Sequence, residues 1–127
     1  MLYTTYFSNL QYIQKDDVVM VITLYPPKWL DQNKYPVIEY FAPSPELFES
    51  FHNRKDISFD EFEEQFIRET LENNPKIVDL VNLSKVVNVI LVCYEKDGTS
   101  CHRQIIARWL KKHFNVEWKE LLYGEPN

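Results

Sequence analysis

Val86-Val87-Asn88-Val89-Ile90-Leu91-Val92-Cys93-Tyr94-Glu95, then a polar loop, then Cys101-His102-Arg103 at the head of an amphipathic segment, is the stretch that decides the fold class. Val86 to Cys93 is a short β-branched and aliphatic run bounded by polar residues, the pattern of a strand buried within a sheet. After the loop, a helix starting near Ser100 carries Ile105, Ile106, Trp109, Leu110 and Phe114 inward, leaves Arg108, Lys111 and Lys112 to water, and ends near Phe114. Strand, loop and helix gather two thiols, an imidazole, a carboxylate and a guanidinium where a buried strand gives way to a helix N-terminus. Ligands commonly bind there in α/β proteins.

Working outward, Leu2 to Phe7 and Val18 to Leu24 are two further strand-like runs. Tyr25 to Ser44 carries Pro26, Pro27, Pro36 and Pro43, which deny it regular structure, together with Tyr25, Trp29, Tyr35, Tyr40 and Phe41. Ordering so long a connection costs entropy, so these aromatic side chains are expected to pack on the domain, over the ligand-facing edge or over one core face. Ser44-Pro45 reads as an N-cap with proline at the first helical position, opening a helix to about His52. Ser58-Phe59-Asp60-Glu61 has capping-box spacing, and Phe59, Phe62, Phe66 and Thr70 recur at helical intervals, widened by Ile67 and Leu71. Asn74-Pro75 starts a third helix with Ile77, Val78, Leu80 and Val81 on its apolar side. Val116 to Leu121 alternates in apolarity and reads as a final edge strand or a short helix.

Strands separated by helices imply an α/β fold: a single compact domain, residues 1–127, with a mostly parallel sheet of three or four strands and helices packed on its faces. The strand order is left open. A chain of 127 residues with 45% hydrophobic content suits one core and is too short for a second. Nothing in Met1 to Tyr6 resembles an export signal and the apolar runs are too short to cross a bilayer, so a cytoplasmic protein without a membrane partner is expected. In that compartment Cys93 and Cys101 are expected to be reduced. With two glycines in the chain, a glycine-rich phosphate loop is excluded.

Nineteen acidic against fourteen basic side chains give a net charge of −5, the wrong sign for a surface that embraces a phosphate backbone overall. The acids crowd between Glu46 and Glu72. Arg103, Arg108, Lys111, Lys112 and Lys119 make the C-terminal region locally basic, which leaves nucleic acid as a partner open without favouring it.

At the strand-to-helix junction, Cys101 at a helix N-terminus beside His102 and Arg103 is a candidate nucleophile, with His102 or Glu95 as proton carrier. Arg103 with the helix N–H groups suits a carboxylate or phosphate; the alternative is an ion pair with Glu95 that holds the loop. Cys93 reads as buried at the strand end. Seven residues between Cys93 and Cys101 do not give the tight spacing of oxidoreductase thiols, and Cys93, Cys101 and His102 offer too few ligands for zinc, so neither a metal nor a cofactor is expected. A parallel sheet would also bring Ser8 and Asn9, after the first strand, and Tyr25, Lys28 and Trp29, after the second, to the same carboxyl edge as Cys93 and Arg103.

The Cys93-Tyr94-Glu95 and Cys101-His102-Arg103 pair resembles the family known as domain of unknown function 488, whose members carry a strand ending in Cys-x-Glu, a short loop and Cys-His-Arg. Tyr6-Phe7-Ser8-Asn9 resembles that family's Gly-His-Ser-Asn-like element, and Tyr25-Pro26-Pro27 its proline-bearing exit from the second strand. Where many members have Asp-x-Arg before that proline, this chain reads Thr23-Leu24-Tyr25, which leaves Lys28 as the nearest cation. The resemblance implies a compact α/β fold and brings no activity with it. Three functions follow as expectations: a site at the sheet's carboxyl edge for an anionic small molecule, a nucleotide or phosphorylated metabolite; a thiol-dependent enzyme using Cys101; or a binding module for nucleic acid or protein.

Overall fold

Alternation along one central strand sets the layers. In the computed structural model, which describes residues 1–94 and 102–121, β3 (Val89–Cys93) is buried at every position. Val89, Leu91 and Cys93 join one apolar cluster, whereas Ile90 and Val92 join another. A period of two places these sets on opposite faces of the sheet, which is why the run is apolar throughout.

β3 pairs in parallel with β1 (Leu2–Tyr6) and with β2 (Val18–Val21), and β1 pairs in parallel with β4 (Trp118–Glu120). The strand order is β2-β3-β1-β4. The alternating segment from Val116 to Leu121 is therefore an edge strand. It settles there because β1 offers an open edge and because Thr4 and Glu120, paired in register, are joined by a hydrogen bond from Thr4 Oγ1. The second strand is shorter than the apolar run suggests. Beyond Val21 the chain keeps one ladder bond, Ile22 N to Val92 O at 3.0 Å, and Val21 bridges to Val37 in the proline-bearing connection.

The α-helices cover one face. They are α1 (Pro45–Phe48), α2 (Phe59–Phe66), α3 (Lys76–Val86) and α4 (His102–Phe114), with wider π-helical turns, Glu49–Asn53 and Ile67–Leu71, extending the first two. Ser44 and Ser58 cap α1 and α2 as their spacing predicts, and Ser58 with Glu61 forms the complete reciprocal box. Leu47, Phe62, Phe66, Leu80, Ile105, Ile106 and Leu110 pack there against Leu2, Ile22, Val89 and Leu91. Removing any one of these leucine, isoleucine or phenylalanine side chains to alanine costs about 2–5 kcal/mol.

On the other face lie a 3-10 turn, Phe7–Tyr12, and the ordered connection after β2, supplying Phe7, Leu10 and Leu30 against Val19, Val21, Ile90 and Val92. Helices thus occupy one side of this α/β domain and irregular chain the other. Phe41 of the same connection crosses to the helical side and is buried there. No helix among the described residues is long and apolar enough to cross a membrane.

Candidate functional site at the carboxyl edge

Because all four strands run the same way, their carboxyl ends share one edge, and the register sets Tyr6 opposite Cys93. There β1 leads into the 3-10 turn on one face, while the helix following β3 packs on the other. Adjacent strands whose outgoing connections part to opposite faces leave a crevice between them, the usual ligand position in open parallel sheets.

On the helical side of this edge stands Arg103, from the first turn of α4, with none of its surface exposed. Its Nε donates to Glu120 Oε1 at 3.1 Å and its Nη2 to Oε2 at 2.9 Å, a bidentate pair. Nη1 donates to Cys93 Sγ at 3.2 Å, and the guanidinium carbon lies 5.9 Å from the Tyr6 ring centroid. Gln104 Nε2 and Thr4 Oγ1 also donate to Glu120 Oε1, so this carboxylate gathers four donors from α4 and β1. The carboxylate partner of Arg103 among the described residues is thus Glu120; the alternative named from the sequence, Glu95, lies outside them.

His102, the first residue of α4, is also buried. Its Nε2–H donates to the Ile22 carbonyl, and its ring meets Phe66 edge-on at 5.4 Å. Burial holds its pKa down at about 4; the Ile22 hydrogen bond opposes this, while the charges of Arg103 and His52 add to it. The imidazole is therefore neutral at ordinary pH and ties the helix start to the exit of β2.

Cys93 is disulfide-bonded, which corrects the expectation of a reduced thiol. The compartment argument concerns thiols in general, whereas the fold decides whether a given sulfur has a neighbour within bonding reach. Cys101, the chain's other cysteine, and Glu95 lie outside the described residues.

Across the sheet, different residues come together. Asn9 is buried, and its Nδ2 donates to Thr5 Oγ1 at 3.0 Å and to the Leu121 carbonyl at 3.2 Å, so its amide fastens the end of β4 to β1. Ser8 beside it is exposed. Trp29, 68% exposed, stands edge-on to Phe7 at 6.0 Å, and Phe7 meets Tyr94 at 4.9 Å. Tyr94 OH donates to the Tyr25 carbonyl at 2.9 Å, and the exposed Tyr25 ring leans on Phe48 at 5.3 Å. Lys28 is exposed next to Trp29. The hydroxyl of Thr23, a residue only 4% exposed, has no hydrogen-bond partner among the described residues.

The sequence-predicted site residues therefore form two groups. Cys93, His102 and Arg103 lie buried on the helical side; Ser8, Tyr25, Lys28 and Trp29 are exposed at the ends of β1 and β2. Sequence reasoning missed Glu120, Tyr6, Phe7 and Tyr94. For Glu120 there was one signal, a carboxylate in line with Val116 and Trp118 in an alternating segment. No group of three or more His, Cys, Asp or Glu able to hold a metal occurs among the described residues.

The family model described as the active DUF488-N3 subclade matches residues 5–114. No curated protein and no solved structure matches the chain.

Proposed function

The chain belongs to the DUF488 family, the match to its N3 subclade taking in β2, β3 and α4, and on that premise we propose that it binds a small anionic ligand with a planar part, a nucleotide or similar phosphorylated metabolite. The observation that carries this reading is the aromatic shelf of Trp29, Phe7 and Tyr94 beside the divergence of β1 and β3. An indole left 68% exposed gains nothing from the core. Stacked against a base it would contribute about 1–3 kcal/mol.

Lys28 supplies the cation next to that shelf and Ser8 an exposed hydroxyl. Arg103 has a different part, because its fork is already filled by Glu120 and Cys93. It holds β4 and α4 in place behind the ligand without reaching it. His102, neutral and bonded to Ile22, likewise positions the β2 exit from which Tyr25, Lys28 and Trp29 follow.

Thermal-shift titration with AMP, ATP, ribose 5-phosphate and inorganic phosphate tests this. Nucleotides are expected to raise the melting temperature more than ribose 5-phosphate does. Trp29→Ala should remove that difference while leaving the unliganded melting temperature unchanged, and Lys28→Ala should weaken binding of every phosphate-bearing probe. Absence of a shift with all four probes overturns the proposal, as does salt-dependent oligonucleotide binding without any nucleotide effect.

A further inference from the structure

The outer edge of β2 stops short by one residue. In a parallel pair, successive residues turn their backbone groups alternately toward the partner strand and away from it. Val18 N donates to Asn88 O at 2.8 Å and Ile22 N to Val92 O at 3.0 Å, so the N–H and C=O of Val19 and Val21 face away from β3. Val21 is served there by the connection after β2: its N donates to Pro36 O at 2.9 Å and its O accepts from Ile38 N at 2.8 Å. The same ladder carried two residues back would set Pro36 N against the Val19 carbonyl, and proline has no N–H to give. Lys34 and Tyr35 turn away instead, their N–H groups donating to Asp31 O at 3.2 and 2.8 Å. Among the described residues, Val19 is therefore the outward position of β2 left without a backbone partner. With 7% of its surface exposed, it has little water with which to satisfy a donor and an acceptor.

A cavity of about 360 Å³ adjoins this position, with Val19, Leu10 and Ile13 as apolar lining. Lys15 and Lys34 bring two ammonium groups to it, and Lys34 Nζ lies 5.3 Å from the centre of the Tyr35 ring, which lines it too. Neither lysine has a salt bridge among the described residues. The Asp17 carboxylate, also in the lining, is already engaged, Oδ1 by Asn88 Nδ2 at 3.2 Å and Oδ2 by Gln14 N at 3.3 Å. Two cations against one carboxylate make this lining positive in a chain whose net charge is −5. Trp29, Phe7 and Tyr94 take no part in it.

We propose that this cavity is a second binding site, for a small N-acylated α-amino acid with an apolar side chain. The ligand's amide N–H donates to the Val19 carbonyl and its carboxylate accepts from Val19 N–H, the two-bond exchange of an antiparallel pair. Lys15 and Lys34 offset the carboxylate charge, which sets this ligand apart from a zwitterionic amino acid, and the apolar side chain lies over Leu10 and Ile13. The acyl group of a ligand held in this sense points along β2 toward Val21, where Pro36 and Ile38 already occupy the edge. A short acyl group fits that space; the upstream residues of a peptide do not.

Titration of the nitrogen-15-labelled full chain with N-acetylleucine, followed by nuclear magnetic resonance, tests this. The Val19 amide is expected to shift and its hydrogen exchange to slow. N-acetylleucinamide, which lacks the carboxylate, and N-acetyl-N-methylleucine, which lacks the N–H, should each bind about tenfold more weakly. Lys15→Ala and Lys34→Ala should each weaken binding about threefold, as expected for exposed cations. Acetyl-alanyl-alanyl-leucine should bind more weakly than N-acetylleucine, and inorganic phosphate should leave exchange at Val19 unchanged. AMP in excess should leave the N-acetylleucine shifts in place, so this site and the nucleotide reading stand or fall separately. No effect at Val19, equal affinity for the acid and the amide, tighter binding of the tripeptide, protection of Val19 by phosphate, or displacement by AMP overturns the proposal.

Discussion

Arg103 and Glu120, 17 positions apart, meet in a two-pronged ion pair in which the cation is wholly buried and the carboxylate side chain is 16% exposed. One residue lies in the first turn of α4 and the other closes β4, so the pair fastens that strand to the helix that precedes it. Such a pair is weak evidence of net stability, because desolvation offsets much of the attraction, but removing one partner strands a buried charge.

Glu120→Ala should therefore destabilise the protein by about 3–5 kcal/mol. Arg103→Met combined with Glu120→Leu should cost much less than the single change, since no charge is left without a partner. Urea denaturation of the variants checks both; equal losses in the single and double variants would show that packing, and not charge, is responsible.

His102 makes stability fall in acid. Its pKa is about 4 in the folded protein against 6.5 when free, so between these values the unfolded chain binds more protons than the folded one. Stability from this group is complete above about pH 6.5 and declines as pH falls toward 4, by roughly 3 kcal/mol at the limit. His102→Gln, which keeps a donor for the Ile22 carbonyl, should flatten that part of the pH profile. An unchanged slope between pH 6.5 and 4 would show that the imidazole is not buried neutral.

Ser58 satisfies the start of α2 by accepting from Glu61 N at 3.1 Å, while Glu61 Oε1 accepts from Ser58 N at 3.1 Å. Ser58→Ala should cost about 1 kcal/mol. Ser58→Asp should retain most of that stability, because aspartate caps equally well and complements the helix dipole. Chemical denaturation distinguishes the two.

Thr23 keeps a buried hydroxyl that has no hydrogen-bond partner among the described residues. Thr23→Val retains the shape and removes the desolvated group, so it should raise stability by about 1 kcal/mol. A loss of stability on this substitution would mean that the hydroxyl is satisfied in solution.

Much of the fold was legible because it depends on short-range pattern. The uniformly apolar Val89 to Cys93, the caps at Ser44 and Ser58, and the inward stripe of Ile105, Ile106 and Leu110 each follow from local periodicity or local hydrogen bonding. Val116 to Leu121 was legible only as an alternation, since a three-residue edge strand is decided by whether a neighbouring edge is open. The candidate site was read less completely. Ser8, Lys28 and Trp29 stand exposed after β1 and β2, and Tyr25 leans on Phe48 of α1, whereas Cys93 and Arg103 are buried and hydrogen-bonded to one another, so the residues named from the sequence do not form one constellation.

From sequence alone came the α/β class, the caps, the strand-to-helix junction and the family resemblance, all of which are encoded in residues near one another along the chain. Tertiary structure alone decided the strand order, the bond at Cys93 and the engagement of Arg103 by Glu120. The strand order and the Arg103–Glu120 pair depend on which distant segments share a face, and burial leaves a guanidinium no solvent with which to satisfy its donors, so the carboxylate that folding brings alongside takes that role.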